Sequence, residues 1–333
     1  MKTYFVFIPN VKEESSMLTS FEQQVVETIR LKTKQLNIDN ISRTEAYATF
    51  YNNHPEVKWS FLASMVSRNA GWNMCDLQGK WFPELLSIET RDLLFLTYER
   101  ANWLIFQDAF PQLLLYEISK KHEKSYFHLL EYFDVSPFMY EKWTVFWERK
   151  KEIELMHALI INEQHIIEPA VIAHPFYQKK VFHRLVFHFQ DSLHFSSVLF
   201  PTMEGEIYGC SVHSFTKVDE RIKLGKKLGE LLFSQALYPK FLQFSMSTVH
   251  TGSRVDYEQY VFRSKRRDTP YLRMTFPIVS HHEKKRGQWR ISKRREKKLM
   301  KSLDLSAPMP ITEWYQNKQK QLHVLVGIKK FFR

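Results

Sequence analysis

Residues His250, Thr251, Gly252, Ser253 and Arg254 place an imidazole, two hydroxyls, a glycine and a guanidinium in one short run. Gly252 permits close approach of a ligand to the backbone, and Arg254 can hold a phosphate or carboxylate bidentately. A helix opening near Val255 would add its N-terminal amides to such an anion site. The competing reading is a capped loop in which Arg254 pairs with a structural acid such as Asp256. Three other polar clusters interrupt apolar runs: Ser67, Arg68, Asn69, Asn73 and Asp76; then Glu99, Arg100, Asn102, Gln107 and Asp108; then Asn162, Glu163, Gln164 and His165. An unsatisfied buried polar group costs roughly 1 to 3 kcal/mol, so these clusters must satisfy one another around a polar cavity, or else face solvent and cap helix ends. The cavity reading gathers Arg68, Asn69, Asn73, Arg100, Asn102, Gln107, Asp108, Asn162, Glu163, His250, Ser253 and Arg254. If it were catalytic, Glu99, Asp108 and Glu163 would be its acids and His250 its base.

The elements that must carry these residues read as helices. Thr19 with Glu22, and Ser42 with Glu45, have capping-box spacing, the first followed by Val25 and Ile29 on the face begun by Phe21. Pro55 suits the first turn of a helix bearing Trp59, Leu62 and Val66. Ser136 before Pro137 starts another, and Thr216 with Asp219 opens one carrying Leu224, Leu228, Leu231 and Leu232. Pro111 is expected to break or kink a helix running from about Thr90. Strand signals are confined to Tyr4 to Ile8, Tyr271 to Val279 and Leu322 to Ile328. The expected fold class is mainly α, a large multi-helix orthogonal bundle over residues 1 to 262, followed by a small basic appendage, 263 to 333, containing a few short strands and partly docked on the bundle.

The formal net charge of +12 is concentrated at one end, since residues 261 to 333 hold 20 basic and 5 acidic side chains. Arg266, Arg267, Lys284, Lys285, Arg286, Arg290, Lys293, Arg294, Arg295, Lys297 and Lys298 form its densest part. Such a run releases counterions from a polyphosphate and binds DNA or RNA without reading sequence, with Tyr271 and Trp289 available for stacking. An acidic protein partner, an anionic lipid surface and a merely solvated face are the other readings. A lipid-facing helix over Gln288 to Lys301 is the weakest, because Arg295 interrupts the face that runs from Ile291 to Leu299.

Other chemistries lack their signs. There is no Walker-type phosphate loop, no Gly-x-Gly-x-x-Gly turn and no Gly-x-Ser-x-Gly elbow. Glu154 and His157 have i, i+3 spacing but no second Glu-x-x-His completes a di-metal set, and His174, His183, His188 and His194 include no i, i+4 pair. No metal or cofactor is expected. Cys75 and Cys210 stand far apart, which fits a reducing cytoplasm, and no apolar run reaches the roughly 20 residues of a membrane span. Enzyme and non-catalytic binder both remain open.

Several strings carry a resemblance. Phe61 to Met74, Glu99 to Asn102, Gln107 to Gln112, Ile161 to Gln164 and His250 to Arg254 are similar to blocks of the YppC-like family of uncharacterised Bacillus proteins. The resemblance covers most of residues 40 to 260 and implies no activity, ligand or catalytic residue. The leading functional expectation is polyanion binding through the basic end. A polar cavity for an anionic ligand and a scaffold for an acidic partner are the alternatives.

Overall fold

The computed structural model describes residues 18–182, 197–211, 215–261, 269–282, 289–303 and 309–331. It is mainly α. The helices are α1 (Ser20–Leu36), α2 (Asn40–Asn53), α3 (Lys58–Asp76), α4 (Ile88–Lys121), α5 (Pro137–Arg149), α6 (Glu152–Ile167), α7 (Val218–Leu232), α8 (Tyr238–Ser247), α9 (Val255–Val261), α10 (Lys293–Met300) and α11 (Thr312–Phe331), joined by shorter helical turns. Both halves of the Thr19 and Glu22 capping box form at the start of α1, which buries Val25, Val26, Ile29 and Thr33. Ser136 caps α5 through the Met139 amide, as expected. The start expected at Ser42 lies three residues earlier, because the Asp39 carboxylate accepts the Ser42 amide at 2.7 Å and caps α2 itself.

No break occurs at Pro111. The 34 residues of α4 run through it. Proline removes one helical hydrogen bond and crowds the preceding turn, at a cost of about 3 kcal/mol. Here Phe106, Ala109, Phe110, Leu113 and Leu114 are all buried around it, and that packing outweighs the local defect. At the centre lies α6, which packs against α3, α4, α5 and α7. Its run Leu155 to Ile161 is buried without a break, the pattern of a helix enclosed on every side.

The strands expected at 271–279 and 322–328 are not strands. Residues Leu272–Thr275 form one helical turn, and 322–328 lie within α11, where Tyr315, Leu322 and Val326 recur at helical spacing and are buried. The Tyr4 to Ile8 signal falls outside the described residues. Among the described residues the only sheet is an antiparallel hairpin earlier in the chain, β1 (Ser197–Pro201) with β2 (Ile207–Ser211), in which Ser197 faces Ser211 and Pro201 faces Ile207. Gly205 turns the hairpin at φ +86°, a conformation that other residues adopt only with strain. Asn69 of α3 fastens β1 to the bundle: its amide donates to the Ser197 carbonyl at 3.2 Å and accepts from the Leu199 N–H at 3.0 Å. No helix among the described residues is long and apolar enough to cross a membrane.

Candidate functional site

The run from His250 to Arg254 folds into a closed polar lock between α3 and α9. Arg254 uses Nε on the Asp76 carboxylate, Nη1 on the Tyr257 hydroxyl and Nη2 on Asn73 Oδ1 at 2.9 Å. The Arg254 and Asp76 side chains are each only 2% exposed. The structural acid is therefore Asp76, 178 residues away, and not Asp256. Asp256 serves a different set, accepting from the Trp72 indole at 3.0 Å, the Thr251 amide at 3.0 Å and the Thr251 hydroxyl at 2.5 Å. His250 sits between Asp256 (Nδ1, 3.3 Å) and Asn40 (Nε2, 2.8 Å), with burial holding its pKa below the ordinary imidazole value. Gly71 makes the approach possible, because a Cβ there would lie 2.4 Å from Asn40 Oδ1 and 2.9 Å from the His250 ring. Ser253 bonds the Thr269 carbonyl and hydroxyl at 2.7 and 2.9 Å. Each guanidinium nitrogen of Arg254 is thus bonded within the protein.

Other expected residues serve two further purposes. Arg68 donates to the Thr248 and Ser245 carbonyls, both at 2.9 Å, and so closes the C-terminal end of α8. Asp108 accepts from Gln112 at 2.7 Å and Asn162 at 2.5 Å, while Asn162 Oδ1 accepts from Ser136 at 3.1 Å and the Trp289 indole at 3.0 Å. That network ties α4, α5 and α6 to the C-terminal region. Arg100 lies over Trp103, 4.9 Å from the ring centre, and Gln107 accepts from Asn37 at 3.2 Å. The twelve candidates thus occupy several separate places.

Four of them, Asn69, Asn73, Asn102 and Glu163, line one cavity of about 190 Å3 between α2, α3, α4, α6, α7 and β1. Most of its wall is apolar, with Leu62, Val66, Ile105, Ile167, Leu224 and Leu228 around it. Two arginines reach the wall, and each is neutralised. Arg43 donates to Glu99 at 2.6 Å, and Arg221 pairs with Glu168 and donates to Gln164 at 2.8 Å. Burial pushes the Glu99 carboxyl up, but the charges and hydrogen bonds of Arg43 and His281 together outweigh it and keep the acid below its ordinary value. Glu163 has no such cation among the described residues. It accepts from the Trp59 indole and from Gln164, each at 3.1 Å, and burial pushes its pKa up to about 7.

The cavity also holds a residue the sequence reading missed. Tyr47 is 3% exposed, and its hydroxyl has no hydrogen-bond partner among the described residues. Burial first, and the nearby Glu163 second, hold the phenol protonated. Nothing in the local pattern distinguishes Tyr47 from its aromatic neighbours Phe106 and Phe110, against which its ring packs. Arg221 was equally hidden, as one cation among several near the start of α7.

With this geometry in view, a family model described as Protein of unknown function (DUF2515) matches residues 35–316. The chain belongs to that family. It is 44% identical over 325 residues to "Uncharacterized protein YppC" of Bacillus subtilis (strain 168), a match covering 97% of this chain and 99% of the relative. No solved structure matches. The DUF2515 region spans the polar lock, the cavity and α10, so both candidate sites lie on the family's common chain.

The basic region is partly committed to the bundle. In α10, Lys293 pairs with Glu141, and Arg295 and Lys298 both reach Asp219. Arg290, Arg294 and Lys297 are exposed and have no ion pair among the described residues. Arg266, Arg267, Lys284, Lys285 and Arg286 lie outside the described residues. Among the described residues no group of three His, Cys, Asp or Glu side chains is placed to hold a metal. Cys75 and Cys210 are free thiols, and burial pushes both pKa values up.

Proposed function

We propose that this member of the family is a small-ligand-binding protein whose site is the cavity bounded by Tyr47, Trp59 and Glu163. One observation carries the reading: a buried phenol with unused hydrogen-bonding capacity and a carboxyl with no cation share one mostly apolar space. Natural interiors satisfy their polar groups, so an unmet hydroxyl oxygen beside a cavity marks where a guest completes the set. Both arginines that reach the wall are already paired, so the preference expected from the sequence, an anionic ligand, loses its support. The test is a spectrum of the Trp59 indole N–H during titration with benzene-sized fragments. A shift in the native protein that disappears in Ala63→Phe, which fills the cavity, supports the reading. Absence of any shift across the fragments overturns it.

A second reading keeps polyanion binding by the basic end, and the exposed Arg290, Arg294 and Lys297 favour it. Retention on DNA or RNA should then fall steeply with salt and weaken when these three become Gln. Salt-insensitive retention would remove this reading.

A further inference from the structure

Size, charge and hydrogen-bonding capacity together narrow the guest. An apolar cavity of roughly 150 Å3 is known to hold one benzene ring, so about 190 Å3 admits a ring or branched chain with a short substituent. That is a molecule of roughly six to ten non-hydrogen atoms. The charges facing Glu163 can be taken element by element. From α2 come Arg43, held by Glu99, and the neutral phenol of Tyr47. From α4 comes Tyr98, whose phenol burial keeps protonated, and from α7 comes Arg221, held by Glu168. On α3 the neighbour is the uncharged indole of Trp59, and β1 contributes Val198. His165, two residues along α6, is stacked on Trp289, and burial lowers its pKa from the ordinary imidazole value. Both cations at the wall therefore have their own acid, and the carboxyl of Glu163 has no cation among the described residues.

We infer that the cavity takes a compact monoamine, a single ammonium group on an apolar body, with the ammonium against the Glu163 carboxylate and the Tyr47 oxygen and the body against Trp59, Leu62, Val66 and Leu228. This rests on the small-ligand reading above. The Glu163 carboxylate supplies the counter-charge, and the Tyr47 oxygen accepts a second ammonium hydrogen while the phenol keeps its own proton. The aromatic face of Trp59 adds attraction for a cation. An anion in the same place would face an acid with no free cation to offset it. A neutral guest of the same shape would leave the carboxylate desolvated and unpaired.

The experiment compares four probes of similar size: 2-phenylethylamine, 2-phenylethanol, ethylbenzene and phenylacetate, each titrated calorimetrically into the full chain at pH 6 and pH 8. The expected result is that the amine binds most tightly and gains about tenfold in affinity from pH 6 to 8, following the ionised fraction of a carboxyl titrating near 7. The other probes should show no such gain. In Glu163→Gln, ethylbenzene binding should persist, which certifies the fold, while amine binding should fall at least tenfold and lose its pH dependence. If ethylbenzene or the acetate binds as well as the amine, or if the amine is insensitive to pH, the monoamine assignment is overturned while the cavity reading stands. If no probe binds the native protein, both fail.

Discussion

Two polar regions of this bundle are built from the same residue types and end in opposite conditions. In the lock between α3 and α9, Asp76 pairs with Arg254, Asp256 accepts from Trp72 and lies against His250, and the ring of His250 fills the space above Gly71. About the cavity, the Tyr47 hydroxyl has no hydrogen-bond partner and the Glu163 carboxyl no cation among the described residues, and both border open volume. Polar residues in a core are thus not one signal. Those that close on themselves hold helices together, and those left incomplete beside a space define where something else can enter.

The sharpest way to break this comparison is Arg254→Met. Removing one partner strands the buried Asp76 charge, at an expected loss of about 3 to 5 kcal/mol measured by urea unfolding. Adding Asp76→Leu should restore most of it, because a buried ion pair contributes little over a well-packed apolar pair. If the single substitution proves neutral, the lock is not structural.

Glu163→Gln should act in the opposite direction. The carboxyl titrates near 7 when folded and near 4.5 when unfolded, so the folded state holds its proton longer. Its contribution to stability therefore declines as pH rises from about 4.5 and levels off above 7, for a total of up to about 3 kcal/mol. The glutamine variant should match the native protein at pH 4 and exceed it by up to that amount at pH 8, again by urea unfolding. Equal stability at both values would mean that Glu163 is not held out of water. A smaller effect is expected of Gly71→Ala, whose methyl must displace Asn40 and His250, at a cost of about 1 to 3 kcal/mol in the same measurement. Smallest of all should be Asp219→Asn, which removes the partly exposed partner of Arg295 and Lys298. A loss of no more than about 1 kcal/mol is expected, vanishing in high salt.

Legibility in the sequence followed the distance over which each interaction acts. The Thr19 cap needs only Glu22, three residues on, and it formed as expected. The start of α2 was misplaced by the same logic, since Asp39 also caps locally and Ser42 lies within its reach. The break expected at Pro111 did not form, because the core that surrounds it outweighs the local cost. In α11, Leu322, Val324 and Val326 alternate like a strand, and only the docking of Tyr315, Leu322 and Val326 on the bundle selects the helix. The functional residues were hardest. Arg254 announced a binding group, but its partner lies in another helix far along the chain. Tyr47 announced nothing, because an unmet hydroxyl is a property of its surroundings and not of its type.

The length of α4 has one more consequence. Tyr98, Asn102 and Ile105 line the 190 Å3 cavity from one flank of this helix, while Trp103, Gln107 and Pro111 line a second space of about 600 Å3 from another. Arg43 joins the two sides, reaching the first space and donating at 3.2 Å to Asn37, which lines the second. The helix is a partition with a room on either side.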